Sequence, residues 1–152
     1  MTILYLDASA WVKRYYREVG SERIHQMLSA GNLLACSVLG FIEVIATLAR
    51  KHKAKEISSV EFEEKLRQLK EDWSSFLKLE LTMNGLDEAE AAAIQTSLRG
   101  ADAIHFAALQ FLRARALGSN LNVVFVASDR ELIAVARAAG CTVVDPTEQA
   151  VN

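Results

Sequence analysis

Apolar residues follow two different spacings along this chain, and the two spacings alternate from one segment to the next. Residues 2–6 (TILYL) form a short apolar run that continues directly into Asp7. A short unbroken run of this kind is typical of a strand buried on both faces of a sheet. Similar runs occur at residues 32–36, 123–126 and 142–144. We predict a buried strand at each of these places.

The segments between these runs have the spacing of helices, with apolar residues three and four positions apart. Residues 77–82 differ from both patterns, because apolar and polar residues alternate there as in a half-exposed edge strand. Strands that alternate with helices along a whole chain are typical of a parallel sheet covered by helices. We therefore predict a single α/β domain over residues 1–152, with helix N-caps at Ser9, Ser37, Ser58, Asp87 and Ser128.

Two of the predicted helices carry much apolar surface. The helix predicted for residues 38–50 is apolar nearly all round, which is typical of a buried helix. A charged helix follows it and has one apolar stripe from Phe62 to Phe76. Together with the aromatic side of the first helix, this stripe offers more apolar surface than a small core needs, so we expect both to contribute to a homodimer interface.

The composition limits the class of protein. The chain has 152 residues, of which 51% are hydrophobic, and a net charge of −2, so any nucleic-acid binding must use a local basic patch. The two cysteines have no CxxC or Cys/His neighbours, so we expect reduced core thiols. There is no signal-peptide pattern and no apolar run of membrane-spanning length. We expect a cytoplasmic protein that does not contact a membrane.

Four acidic residues stand out by their position in this pattern. Asp7 and Asp129 directly follow predicted strands, and in parallel sheets ligands bind beyond the carboxyl ends of the strands. Glu43 and Asp102 are isolated acids within predicted apolar helices. An unpaired carboxylate in an apolar helix is costly, so it must find a partner, stay protonated or bind a cation.

Each of these residues also has a purely structural interpretation. Glu43 could pair with a basic residue, and Asp7 could cap a helix or lie in a loop. Asp102 and Asp129 could complement the positive ends of helix dipoles. His105, one helical turn after Asp102, could orient that carboxylate, contact a phosphate or be a hydrogen-bonded core residue.

As a set, these acids suit a metal site. Carboxylates without a histidine-rich cage are the ligands of hard cations such as Mg²⁺ and Mn²⁺, which also bind phosphates. We therefore predict that the four acids converge at one edge of the sheet.

The segments that carry the acids resemble the PIN-domain ribonucleases, and most closely the VapC-type toxins of toxin–antitoxin pairs. Residues 7–10 (DASA) are similar to the opening Asp-x-Ser motif of the family, and Glu43 lies in the apolar helix where the family keeps a glutamate. Residues 100–105 (GADAIH) resemble its Asp-Ala-hydrophobic-His segment, and residues 126–132 (VASDREL) its strand-end aspartate. The resemblance implies a PIN-like three-layer α/β/α fold with a five-stranded parallel sheet in the order 3-2-1-4-5.

The resemblance also implies a function. The protein would be a metal-dependent endoribonuclease that cleaves RNA with a metal-activated water, leaving 5′-phosphate and 3′-hydroxyl ends. A cognate VapB-like antitoxin would block the site, and the toxin would form a homodimer. The residues that would bind Mg²⁺ or Mn²⁺ and act in catalysis are Asp7, Glu43, Asp102 and Asp129, and the supporting residues are Ser9, Ser128 and His105.

Basic residues near these acids suggest where RNA would bind. Lys13, Arg14 and Arg17 follow Asp7 on the side of the first helix opposite its aromatic residues, so we expect them to contact the substrate. A second basic run at residues 50–55 extends the helix that carries Glu43 and could instead complement its dipole. Either cluster could also be an ordinary solvated helix face.

Two other functions compete with the leading one. A haloacid-dehalogenase-like phosphatase would use Asp7 as a nucleophile, but such enzymes have a second aspartate two residues later, where this chain has Ser9. A non-catalytic scaffold that binds RNA or protein would need none of the acids, and a lack of divalent-ion binding would favour it.

Overall fold

The structure is a computed structural model that describes residues 1–148. Five strands form its centre: β1 (Thr2–Leu6), β2 (Leu33–Ser37), β3 (Leu77–Leu79), β4 (Asn122–Val126) and β5 (Thr142–Val144). All neighbouring strands pair in parallel, in the order β3-β2-β1-β4-β5. The predicted five-stranded parallel sheet and its strand order are confirmed. The prediction of one domain over residues 1–152 includes residues 149–152, which lie outside the described residues.

Helices connect the strands. They are α1 (Ala8–Trp11), α2 (Ser21–Ser29), α3 (Val38–Lys53), α4 (Ser59–Ser75), α5 (Met83–Thr96), α6 (Gly100–Ala116) and α7 (Arg130–Ala138), and a 3-10 turn (Val12–Arg14) follows α1. Among residues 1–148, no helix combines the length and the apolar character that a membrane crossing requires.

The sheet separates two cores, because successive residues of a strand point to opposite faces. On one face, Tyr5 and Phe125 pack with α5, α6 and α7. On the other face, Leu6 and Val126 pack with the first four helices. This arrangement is the predicted three-layer α/β/α fold. The two cysteines are buried free thiols, one in each core.

Two of the predicted helix caps are confirmed. Ser37 accepts a hydrogen bond from the backbone N of Leu39 at the start of α3. Ser58 and Glu61 form a complete capping box at the start of α4.

Three predicted caps are wrong. Asp7 rather than Ser9 caps α1, and Asp129 rather than Ser128 caps α7. In both places the helix begins directly beyond the strand-end aspartate, whose short carboxylate reaches a free N–H of the first turn. Thr82 rather than Asp87 caps α5, so this helix begins earlier than predicted and β3 ends at Leu79.

The prediction that α3 is buried nearly all round is also wrong. Its buried residues, Gly40, Val44 and Leu48, lie on one side only. Ile42 on the outer side is 58% exposed, and Val38 is exposed as well. The reason is that α3 is covered from one side, by the sheet, α4 and α6. Apolar residues of α3 therefore form part of the protein surface.

Arg14 and Tyr15 fasten the 3-10 turn to α4. Tyr15 Oη donates to Asp72 Oδ2 at 2.6 Å, and Arg14 Nη2 donates to Asp72 Oδ1 at 3.1 Å. Trp11, which is fully buried, donates to the Tyr15 hydroxyl. Burial alone would raise the pKa of Asp72, but the hydrogen bonds from Arg14 and Tyr15 hold that pKa below its ordinary value.

This link predicts a pH-dependent loss of stability. We expect Asp72→Asn to lower the free energy of unfolding by about 1 kcal/mol near neutral pH, because a charged acceptor is lost. In the native protein, the ionised Asp72 carboxylate contributes to the free energy of unfolding at pH values above the ordinary aspartate pKa of about 3.9. This contribution is lost as the pH falls through the lower pKa that Asp72 has in the folded state. The difference between the two proteins should therefore shrink below about pH 4, as measured by urea unfolding. Glu63→Gln, which removes an exposed acid of the same helix, is the control, and a constant difference at all pH values would contradict the prediction.

Candidate active site

An open cleft of about 480 Å³ lies beyond the carboxyl ends of β1 and β4. All four of the singled-out acids line it: Asp7, Glu43, Asp102 and Asp129. Ser9, Ser128 and four basic residues, Lys13, Arg50, Lys51 and Arg99, line it as well. The predicted convergence of the acids at one edge of the sheet is therefore observed.

Asp7 occupies the centre of the cleft floor. Its backbone N donates to Val126 O at 2.9 Å, which places it directly between β1 and β4. Its carboxylate is nearly buried and accepts hydrogen bonds from the backbone N and the hydroxyl of Ser9. The Ser9 hydroxyl in turn accepts from the backbone N of Ser128 at 2.9 Å. The two loops that leave the central strands are thus joined through one serine.

Glu43 has a basic partner, as one of its structural interpretations required, and the partner is His105. Nε2 of His105 lies 2.6 Å from Glu43 Oε2 and 3.6 Å from Asp7 Oδ1. Its Nδ1 lies 3.0 Å from the hydroxyl of Tyr5. His105 is thus a hydrogen-bonded core residue that contacts Glu43, and its hydrogen bonds do not go to Asp102.

The buried His105 lies close to several carboxylates of the site, and their charges affect its pKa. Burial alone would lower the pKa of His105, but the hydrogen bond to Glu43 and the charges of Asp7, Glu43 and Asp102 raise it above its ordinary value. The His105 ring lies beside two carboxylates beneath the cleft, those of Glu43 and Asp7. Glu43 still reaches the cleft, because about a third of its side chain is exposed.

Asp102 and Asp129 lie on the far side of the cleft and share one counter-ion. Asp102 is in the first turn of α6, and Asp129 caps α7 by accepting from Leu132 N at 2.9 Å. Arg99 Nε donates to Asp102 Oδ2 at 3.0 Å, and Arg99 Nη2 donates to Asp129 Oδ2 at 3.1 Å. Burial raises the pKa of Asp102 above its ordinary value, although Arg99 acts in the opposite direction.

The donor set of the cleft fits a hard divalent cation. Carboxylate oxygens prevail, and the hydroxyl oxygen of Ser128 is buried without a hydrogen-bond partner in the described chain. Within residues 1–148, no three acidic, histidine or cysteine side chains already stand in metal-binding geometry. The acids of the cleft are instead paired with Arg99 and His105. Their assignment as metal ligands remains a prediction.

The three basic residues that were expected to contact RNA lie in different surroundings in the structure. Lys13 lines the cleft, but Arg14 is held by Asp72 on the α4 side, and Arg17 is exposed beyond the 3-10 turn. The first helix ends at Trp11 and a 3-10 turn follows it, so the later residues do not keep the predicted side. The prediction that these three residues share one substrate-facing side is therefore wrong.

Three basic residues of the cleft were not assigned to it from sequence. Arg50 and Lys51 belong to the second basic run, and the length of α3 brings them to the cleft. Arg99 precedes α6 and gave no signal beyond its spacing of three residues from Asp102. A cation at such a place is ordinarily a solvated surface charge.

Comparisons with known proteins identify the family. The family model described as PIN domain matches residues 4–136. Ribonuclease VapC45 of Mycobacterium tuberculosis (strain CDC 1551 / Oshkosh) and Ribonuclease VapC49 of strain ATCC 25618 / H37Rv are each 34% identical over 143 residues, which cover 94% of this chain and 95% of each relative. A solved toxin–antitoxin complex from Klebsiella pneumoniae has the same fold, with a TM-score of 0.66 and 17% identity over 96% of this chain and 99% of that chain. The chain belongs to the PIN-domain family.

Close packing beneath the cleft makes Gly40 a testable position. An added Cβ there would collide with the Cys36 sulfur and approach His105 Cε1 to 3.0 Å. We expect Gly40→Ala to destabilise the protein by about 1–3 kcal/mol, because both neighbours are buried and cannot move freely. Gly100→Ala, whose Cβ would meet nothing within 4 Å, is the matched control and should be neutral or slightly stabilising. Equal urea-unfolding midpoints for the two variants would contradict this account of the packing.

Proposed function

We propose that this protein is a VapC-type toxin, a metal-dependent endoribonuclease that a cognate VapB-like antitoxin inhibits. The observation that carries the proposal is the convergence of four carboxylates in one cleft at the carboxyl edge of the sheet. Comparison with known proteins supports the proposal, because the chain is 34% identical to two ribonucleases, VapC45 and VapC49, over nearly its whole length.

The four acids would hold Mg²⁺ or Mn²⁺, whose preferred ligands are carboxylate oxygens and water. When bound, such an ion supplies an activated water and stabilises negative charge on phosphoryl oxygens. The protein would hold the acids in place from below. Ser9 fixes the carboxylate of Asp7, and His105 fixes that of Glu43. We propose that cleavage of RNA leaves 5′-phosphate and 3′-hydroxyl ends.

The basic residues of the cleft would serve substrate binding. A phosphodiester entering a cleft of carboxylates meets like charge, which nearby cations offset. Lys13, Arg50 and Lys51 line the same cleft as the acids, so they are placed to contact phosphates that flank the cleaved bond. They supply the local basic patch that a chain with a net charge of −2 needs for RNA binding.

The two competing functions have less support. A phosphatase of that kind would need a second aspartate two residues after Asp7, but that position is Ser9, whose hydroxyl donates to Asp7 Oδ2. A non-catalytic scaffold gives no reason for four acids to meet in one cleft at the cost of their mutual repulsion. Binding of a divalent ion separates this last alternative from the enzyme.

The first prediction of the proposal concerns catalysis. Total RNA incubated with the protein should be cleaved in Mg²⁺ or Mn²⁺ but not in EDTA, and the mapped cut ends should carry 5′-phosphates. Asp7→Asn and Asp102→Asn should each reduce the rate at least about 100-fold, because each removes a charged ligand. Asp87→Asn, which changes an exposed acid on α5, should retain the native rate. Full activity of the native protein in EDTA, or of folded Asp7→Asn, would reject the proposal.

We also propose a homodimer, although several of the apolar residues first expected to form it face the core. The Trp11 ring is fully buried, and Leu69 and Phe76 of the stripe are buried as well, whereas Trp73 of the stripe lines part of an apolar surface. That surface lies where two adjoining clefts of about 470 and 580 Å³ meet at β3, α3 and α6. We call this surface the apolar face, and it contains Val38, Ile42, Leu81, Ile104 and Phe111. A second copy of the chain would cover it, because an exposed apolar surface of this kind marks a protein contact.

A charge on the apolar face should separate the subunits. Ile42→Glu should weaken the dimer at least about tenfold, because the new carboxylate would be buried without a partner. Ile94→Glu introduces the same charge at a residue that is 75% exposed on α5, outside the apolar face, and should leave the dimer intact. Sedimentation across a range of protein concentrations measures both variants. Equal oligomeric states of Ile42→Glu and the native protein would place the dimer contact elsewhere.

A further inference from the structure

Arg99 bridges two of the acids that line the cleft. Its guanidinium donates from Nε to Asp102 and from Nη2 to Asp129, at 3.0 and 3.1 Å. These two carboxylates belong to different helices, one in the first turn of α6 and the other at the cap of α7. A guanidinium is planar, permanently charged and able to bind two acceptors at once. Arg99 is thus an internal counter-ion for this pair.

The bridge occupies carboxylate oxygens that a divalent cation would need. Asp102 Oδ2 and Asp129 Oδ2 each accept from Arg99, and within residues 1–148 the acids do not stand in metal-binding geometry. A divalent cation bound to these carboxylates would lie close to the Arg99 guanidinium, and the two positive charges would repel each other. We therefore expect binding of the cation to compete with Arg99.

Arg99 can leave the acids at little structural cost. Its side chain is 72% exposed, so its departure opens no cavity in either core. A released Arg99 would carry an uncompensated positive charge at the mouth of the cleft, and two oxygens of one phosphate can accept the parallel N–H groups of its planar guanidinium.

We propose that Arg99 neutralises Asp102 and Asp129 in the metal-free protein, that a divalent cation displaces it, and that the released guanidinium binds a phosphate of the RNA. The last step rests on the proposed ribonuclease function, whereas the exchange with the cation does not. Arg99 would then couple the two binding events: the arriving cation frees the group that receives the substrate.

Calorimetric titration with Mn²⁺ tests the exchange. Arg99→Gln should bind Mn²⁺ about three- to tenfold more tightly than the native protein, because the cation no longer displaces two exposed ion pairs. Arg99→Lys should fall between the two, since an ammonium group bridges carboxylates less well. Arg130→Gln is the matched control: it removes the same charge from an exposed residue next to Asp129 and should change the affinity less than twofold. Equal gains in Arg99→Gln and Arg130→Gln, or weaker binding in Arg99→Gln, would overturn the exchange.

Melting temperatures give a second measure that does not depend on catalysis. In EDTA, Arg99→Gln should melt below the native protein, because its two acids repel each other without a counter-ion. In saturating Mn²⁺ it should gain more than the native protein does, since tighter binding of a ligand to the folded state adds stability. Identical gains on adding Mn²⁺ would also overturn the exchange.

RNA cleavage at saturating Mn²⁺ tests the phosphate contact. Arg99→Gln should raise KM for single-stranded RNA at least about threefold while its Mn²⁺ affinity increases, whereas a merely structural defect would weaken both. An unchanged KM would overturn the phosphate step alone. If the native protein cleaves no RNA, the proposed function fails together with the phosphate step, and the Mn²⁺ titration still decides the exchange.

Discussion

The nearly buried carboxylate of Asp7 is the constraint on which the rest of the cleft depends. A charge at the end of a central strand is tolerated only where hydrogen bonds replace the lost water. The first turn of α1 and the hydroxyl of Ser9 supply them, and Ser9 is itself held by the backbone of the neighbouring β4 loop. The turn that donates hydrogen bonds to the Asp7 carboxylate therefore also connects the two loops that leave the central strands.

The remaining carboxylates of the cleft also have polar partners, and different residues supply them. Glu43 is balanced from within the core by His105, whereas Asp102 and Asp129 are balanced from the solvent side by Arg99. His105 is held within the core by a hydrogen bond with Tyr5, whereas Arg99 is an exposed surface side chain. This division between a buried partner and an exposed partner would suit the proposed binding of a cation followed by RNA.

Much of the fold could be predicted from the sequence, because the strands are short apolar runs and their parallel direction follows from the alternation with helices. The order of the strands came from the resemblance to the family. The position of the four acids was also predictable, since two follow strands and two interrupt apolar helices. The helix caps were harder to predict. Ser9 and Asp7 can both act as the N-cap of α1, and only the path of the backbone decides between them. Arg99 could not be predicted, because it stands beside Asp129 only in three dimensions.

The surface of α3 is a second feature that could not be predicted from the sequence. An apolar residue such as Ile42 has the same pattern whether it faces its own core or a separate protein chain, so periodicity alone assigned it to the interior. The family resemblance implied a dimer but did not say which apolar side chains form it. In the fold, the aromatic residues near Trp11 are buried and the outer side of α3 is uncovered, so we place the proposed dimer contact at α3.

The pairing of β1 with β4 has a consequence for how the protein is made. Ser9 and Ser128, which join the two central loops, are 119 positions apart in the chain. During synthesis, β1 emerges well before β4, its partner strand, is made. Contacts between such distant segments form late in folding. A chain that stops before residue 129 therefore lacks one wall of the cleft, and a complete cleft forms only after that residue has left the ribosome.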